Sequence, residues 1–239
     1  MRYKAKTAVV IVFILVNSCG SNKDSKNNEH PQSNYVQIFN EMNENPPEII
    51  YPIEFYKNKI IGYRNFFDER QVISAITEVQ RLIPGYLCYL VCWFDNLKGY
   101  MHELFVFDKN QNIARKYLVG YGPLISNYTE ILMEKLPGTR IEHELVSVGD
   151  FNNDGINEIL SYSLYPNIGY VFTVFGYNVF EDELIETCLA PVFINFEKPF
   201  PPVEYIGNGF KILEVVDSEP LELAWNVYTW NVNTAKWEK

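Results

Sequence analysis

Three stretches of this chain share one layout: a strand-like segment, a short connection, a second strand-like segment, a polar turn and a third strand-like segment. The first runs from Leu87 to Tyr117, with Phe105-Val-Phe107 before the turn Asp108-Lys-Asn-Gln-Asn112. The second runs from Ile159 to Glu186, with Thr173-Val-Phe175 before Gly176-Tyr-Asn178. The third runs from Phe210 to Trp237, with Tyr228-Thr-Trp230 before Asn231-Val-Asn-Thr234. Phe107, Phe175 and Trp230 fall at equivalent points, which predicts three repeated units by pattern rather than identity. Each such unit is an antiparallel meander whose apolar face its neighbours must cover. The 17 Tyr, 16 Phe and 4 Trp suit this reading, because flat rings pack well on a pleated surface. The proline-rich Glu197-Lys-Pro-Phe-Pro-Pro202 separates the second unit from the third, since proline is excluded from central strands. The expected fold is therefore mainly β within an α+β class, one domain over 35–239 built of antiparallel meander units.

Two segments follow a helical pattern instead. Asp68-Glu-Arg-Gln71 has the form of a capping box, and Val72, Ile73, Ile76, Val79, Leu82 and Ile83 recur at helical spacing before Pro84-Gly85. This predicts one packed helix near the N-terminus, its apolar stripe being core. A second, shorter helix is expected from Asn127 through Leu136, stopped by Pro137-Gly138. Between Tyr35 and Tyr63, Pro46-Pro47 and Pro52 argue against a regular helix.

The sharpest chemical signal is Gly149-Asp150-Phe-Asn152-Asn-Asp154-Gly155-Ile156-Asn-Glu158-Ile159. Oxygen donors recur at Asp150, Asn152, Asp154 and Glu158, and Gly155 allows the sharp turn that brings the Ile156 carbonyl in as a fifth. A hard cation such as Ca²⁺ takes six to eight oxygens, and a short loop wraps it only if alternate side chains turn inward. Ser161 stands where an EF-hand loop would have its last Glu, and Ile159-Leu-Ser-Tyr-Ser-Leu164 alternates like a strand rather than an exit helix. A calcium loop between two strands resembles the FG-GAP or VCBS repeat of integrin-type β-propellers, over about residues 146–186. That resemblance implies a propeller-blade-like unit, a structural Ca²⁺ held by Asp150, Asn152, Asp154, Ile156 (through its backbone) and Glu158, and a scaffold for binding rather than catalysis. Without a metal, the same residues form an Asn/Asp/Gly-rich turn.

The N-terminus carries an address. Arg2, Lys4 and Lys6 precede the apolar run Ala8 to Val16, which is too short to span a bilayer and has the order of a signal peptide. Val16-Asn17-Ser18-Cys19 resembles a lipobox, where bacterial lipoprotein signal peptidase cuts before a lipid-modified cysteine. The resemblance implies a signal peptide over 1–18, a lipidated Cys19, and anchorage to a membrane of the bacterial cell envelope on its extracytoplasmic side. Residues 19–34 contain no large apolar side chain before the domain and are expected to form a flexible tether. Removing 1–18 takes away three basic residues and no acidic one, so the net charge falls from −10 to −13. Attraction to anionic lipid cannot then hold the domain at a membrane, and stable anchoring needs more than one acyl chain. The same acidity argues against a nucleic-acid partner.

Cys88 and Cys92 are expected on one strand face, about 13 Å apart, too far to bridge each other. Either could pair with Cys188, or all three could remain buried free thiols. No GxSxG, HExxH, P-loop, GxGxxG or CxxC occurs. His102 and His143 each adjoin one acid, Glu103 or Glu144, that a strand would point to the opposite face. A thiol site from Cys92 and His143 remains open, though apolar surroundings would raise the Cys92 pKa. Tyr165, Tyr170, Tyr177 and Trp230 are either core residues or a sugar- or peptide-binding face, and Glu181-Asp-Glu183 is expected as a solvated hairpin tip. The leading functional expectation is a non-enzymatic, calcium-stabilised envelope lipoprotein that contacts a protein or carbohydrate. The alternative is a secreted or periplasmic hydrolase whose site assembles only in three dimensions.

Overall fold

The central strands, Leu87–Asp95, Gly99–Phe107, Glu158–Tyr165 and Gly169–Asn178, are buried along most of their length, which puts packing partners on both of their faces. The computed structural model describes residues 31–43, 51–63, 71–95, 99–122, 132–140, 145–165, 169–195, 200–218 and 221–239. The lipobox with Cys19, residues 20–30 of the expected tether, and His143 lie outside the described residues, while residues 31–34, expected as the end of the tether, are helical. Among the described residues two helices, α1 (Pro31–Met42) and α2 (Ile53–Tyr63), precede thirteen strands. Strands β1 (Gln71–Val79), β2 (Leu87–Asp95), β3 (Gly99–Phe107) and β4 (Ile113–Gly122) form a four-stranded antiparallel meander in sequence order. A second, nine-stranded sheet contains β5 (Thr139–Arg140), β6 (Val146–Gly149), β7 (Glu158–Tyr165), β8 (Gly169–Asn178), β9 (Glu183–Val192), β10 (Val203–Tyr205), β11 (Gly209–Ser218), β12 (Leu221–Asn231) and β13 (Lys236–Glu238). Its order is β13-β12-β11-β9-β8-β7-β6-β5, and β10 pairs with β11. The fold is mainly β and antiparallel, and its sheets do not close into a barrel. All three expected meanders are present as β2–β4, β7–β9 and β11–β13. The second and third are joined edge to edge in one sheet through the pair Glu214↔Val192.

Three expectations need correction. Residues 71–79 are strand β1, not a helix. The β1–β2 register shifts between Ile73 and Ala75, so a bulge at Ser74 breaks the two-residue alternation. Ile73 pairs with Trp93 and Ile76 with Val91, which places these two residues on one face although they are three apart. That spacing imitates a helical stripe, while five β-branched side chains in nine positions and the long edge of β2 favour the strand. The expected Asp68–Glu69–Arg70 cap lies outside the described residues. Second, the prolines between Tyr35 and Tyr63 separate two helices rather than abolish them. Pro31 opens α1, where its missing N–H costs nothing, and Pro52 precedes α2 and accepts a hydrogen bond from Phe55 N–H at 2.9 Å. Third, Gly176-Tyr-Asn178 is still β8, and the turn falls at Val179–Asp182. Of the expected helix at 127–136, Leu132 and Met133 are helical and the residues before them lie outside the described set.

Three apolar clusters stack the layers. On one face of the first sheet, Tyr89, Val91, Trp93, Phe105 and Phe107 are covered by Tyr56 and Ile60 of α2. Tyr56 Oη donates to Gln111 Oε1 at 2.7 Å and Lys59 Nζ donates to Gln111 O at 2.6 Å, which pins α2 to the β3–β4 turn. The opposite face, with Cys88, Leu90, Leu104 and Val106, packs with α1 against Ile159, Phe175 and Tyr177 of the second sheet. Where the sheets adjoin, Ser161 Oγ donates to Val119 O at 2.6 Å and Ser163 Oγ accepts from Tyr121 N–H at 3.3 Å. The far side of the second sheet buries Phe172, Phe210 and Trp237 beneath Leu132, Met133 and Leu136. Phe210 is at its centre, with ring centroids 4.8 Å from Trp237 and 5.4 Å from Phe172. Phe210→Ala is expected to cost about 3–5 kcal/mol and to lower the Tm by on the order of 10 °C, as measured by thermal unfolding.

Candidate ion-binding loop

The connection from β6 to β7 is the Asp150–Glu158 loop, and its side-chain oxygens are turned inward by backbone N–H groups. Asp150 Oδ1 accepts Asp154 N–H at 3.0 Å, and its Oδ2 accepts Gly155 N–H at 2.7 Å. Asn152 Oδ1 also accepts Asp154 N–H, at 3.1 Å. Asp154 Oδ1 accepts Ile156 N–H at 2.8 Å, and its Oδ2 accepts Asn152 Nδ2 at 2.9 Å. Glu158 Oε2 reaches back across the loop to Phe151 N–H at 2.8 Å. Asn153 at φ +61° and Gly155 at φ +82° make the turns that bring these donors round.

Apolar anchors fix the loop from both sides. The Phe151 side chain is buried in the outer cluster of the second sheet, and Ile156 is buried between the two sheets. The loop also reaches the first sheet. Arg81, in the β1–β2 connection, donates from Nε to Gly155 O at 2.6 Å and from a terminal nitrogen to Asn40 Oδ1 of α1 at 3.3 Å. Asn157 donates through its backbone to Arg81 O at 3.0 Å and through Nδ2 to Gln80 O at 2.6 Å. Tyr35 of α1 donates to Tyr177 O, and burial, with the Asp154 and Glu158 charges adding, raises its pKa. One nine-residue segment is thus tied to the β1–β2 connection, and through Arg81 to α1.

Three carboxylates here crowd one another. Asp154 is pushed up to about 6, first by burial and further by the Asp150 charge, while the Ile156 N–H, Asn152 and Arg81 oppose the shift. Glu158, 2% exposed, is raised well above the ordinary carboxylate range by burial, with Asp154 and Asp150 adding. Among the described residues, no three His, Cys, Asp or Glu side chains stand in the arrangement of a preformed metal site. The donor set fits a hard divalent cation in its chemistry, since it is all oxygen and its buried negative charges favour a positive partner. The residues expected to act together, Asp150, Asn152, Asp154, Ile156 and Glu158, do lie in one loop. Arg81 and Asn157 were not singled out by sequence, because only the docking of the β1–β2 connection brings them there.

The other candidates resolve differently. Cys88, Cys92 and Cys188 are buried and form no disulfide, and burial pushes Cys88 and Cys188 up to about 12. The histidine opposite Cys92 is His102, and Gly120 beyond it leaves room for the ring, since a Cβ there would lie 3.1 Å from Nδ1. Glu103 points to the other face and meets Lys116 Nζ at 3.0 Å. Tyr170 and Tyr177 are buried and Trp230 is half-buried, so these belong to the core, while the Tyr165 side chain lies outside the described set. Glu181, Asp182 and Glu183 form an exposed hairpin tip, where Asp182 Oδ2 also meets Arg115 at 3.2 Å. No described helix is long and apolar enough to cross a membrane. No family model, curated protein or solved structure matches the chain.

The Asp154 shift has a measurable consequence in chelator. With an unfolded pKa near 3.9 and a folded one of about 6, the folded state holds the extra proton between them, so this group's contribution to stability falls as pH rises from about 4 to about 6. Asp154→Asn, which keeps an acceptor for Ile156 N–H, should remove that fall. The stability difference between variant and wild type should grow through this window and level off above it, as read by denaturant unfolding in EDTA. Parallel curves would show that Asp154 titrates as in solvent.

Proposed function

We propose that the chain is a lipid-anchored, extracytoplasmic protein of the bacterial cell envelope whose β domain is a non-enzymatic binding or scaffold module, stabilised by Ca²⁺ in the 150–158 loop. The observation that carries the calcium reading is the convergence of Asp150, Asn152, Asp154 and Glu158 on a loop between two strands, with two of the carboxylates buried. On this reading the β6–β9 region is a propeller-blade-like FG-GAP or VCBS unit, its loop placed between paired strands as that repeat has it. Bound there, the ion supplies positive charge that offsets three carboxylates. Asp150, Asp154 and Glu158 hold it, Asn152 adds a neutral oxygen, and Gly155 gives the Ile156 carbonyl its approach. The role is structural, because the loop is tied to both sheets and to α1 through Phe151, Ile156, Asn157 and Arg81. A thiol site at Cys92 is less well supported, since its side chain at 1% exposure is closed to a substrate, while His143, its expected partner, lies outside the described residues.

Ca²⁺ should raise the Tm of the purified protein, by an amount equivalent to about 2.7 kcal/mol when free Ca²⁺ is a hundred times the Kd. Asp150→Ala and Asp154→Ala should each shrink that shift, and an unchanged melt at millimolar Ca²⁺ would remove the site. Separately, Cys19→Ser should abolish fatty-acid labelling and move the protein from the membrane fraction to the soluble one. Membrane retention of that variant would refute the anchor.

A further inference from the structure

One face of the second sheet is covered over half its width and bare over the rest. On β7 and β8 this face carries Ile159, Phe175 and Tyr177, which pack against the first sheet. Beyond them, on β9 and β12, it carries Leu189 at 54%, Leu221 at 54%, Leu223 at 39%, Trp225 at 42% and Val227 at 47% exposure. The register sets Trp225 beside Leu213, which is buried, and Leu223 beside the half-buried Val215, so the exposed strip runs along β12 and its apolar face continues onto β11. The intervening residues of β12 face the other way, where Asn226 Nδ2 donates to the buried Glu214 carboxylate at 2.9 Å and Tyr228 donates to it as well. This alternation places four apolar side chains of one strand, Leu221, Leu223, Trp225 and Val227, in solvent one after another, where other strands expose single ones.

We propose that this bare strip is the contact by which two copies of the chain associate face to face. The other half of the same face already accepts a β-sheet, so the surface is of the kind that a second sheet covers. The exposed apolar side chains amount to on the order of 500 Å², the size of the apolar centre in a standard interface of about 800 Å² per partner. Its charged neighbour, Lys211, lies with Nζ 4.8 Å from the Trp225 ring centroid, where cation–π attraction holds it. Branched aliphatic side chains flanking Trp225 offer no hydrogen bonds to a sugar. A chain of net charge −10 has no general attraction to an anionic bilayer.

The test uses two full-length copies with different tags, expressed together, with capture of one by the other from detergent extracts and sedimentation of the purified protein. The wild type should co-purify with itself and sediment as a dimer at micromolar concentration. Trp225→Glu should weaken association at least tenfold. Val227→Thr, which preserves shape and β-branching and so should not disturb folding, should weaken it several-fold. Val72→Asp, on the exposed side of β1 far along the chain, should leave it unchanged. Monomeric wild-type protein, or unaltered association in Trp225→Glu and Val227→Thr, would overturn the proposal. So would a monomer that binds phosphatidylcholine or phosphatidylglycerol vesicles and loses that binding in Trp225→Glu, since the strip would then face lipid.

Discussion

The Asp150 carboxylate, accepting two consecutive backbone N–H groups, sets the geometry on which the joining of the layers depends. With that turn closed, Phe151 and Ile156 leave the loop in opposite directions, one into the outer cluster and one into the space between the sheets. The same turn presents Gly155 O to Arg81 and Asn157 to the β1–β2 connection. Burying carboxylates is unfavourable, and Asp154 and Glu158 both bear the mark of it in raised proton affinity. In an arrangement that joins layers through crowded negative charge, a bound cation would have a structural task. This is the physical basis of the calcium proposal.

The strands were legible from their aromatic and β-branched runs bounded by polar turns, although both faces of the central ones are buried. Phe105 and Phe107, Phe172 and Val174, and Phe210 and Ile212 each alternate with residues that face the other side of their sheet. The pairing of the second and third meanders was not legible, since a single pair, Glu214↔Val192, joins them across a proline-rich connection. The bulge at Ser74 hid β1, because one extra residue turns a two-residue period into a three-residue spacing. The prolines were given too broad an effect: they bound α1 and α2 without preventing them. Within the loop, every proposed oxygen donor was visible from its spacing. Arg81 was not, because its place beside Gly155 O results from tertiary packing 74 residues away along the chain.

The two faces of the second sheet give the molecule its asymmetry. One is closed by the 132–136 segment, and the other is shared between the first sheet and solvent. The acidic surface accounts for neither the covered half nor the bare half, both of which are apolar. The proposed lipid anchor and the proposed contact between copies make separate demands on the chain. The first depends on Cys19, and the second on β12.

Hydrogen exchange of the folded protein, measured residue by residue with and without Ca²⁺, tests most directly whether the loop is both a cation site and the tie between layers. The account predicts that Ca²⁺ slows exchange at the Asp154, Gly155, Ile156 and Asn157 amides together with the Asn43 and Gly85 amides, which lie at the end of α1 and in the β1–β2 connection. Exchange that is unchanged by Ca²⁺, or slowed in the loop alone, would contradict it.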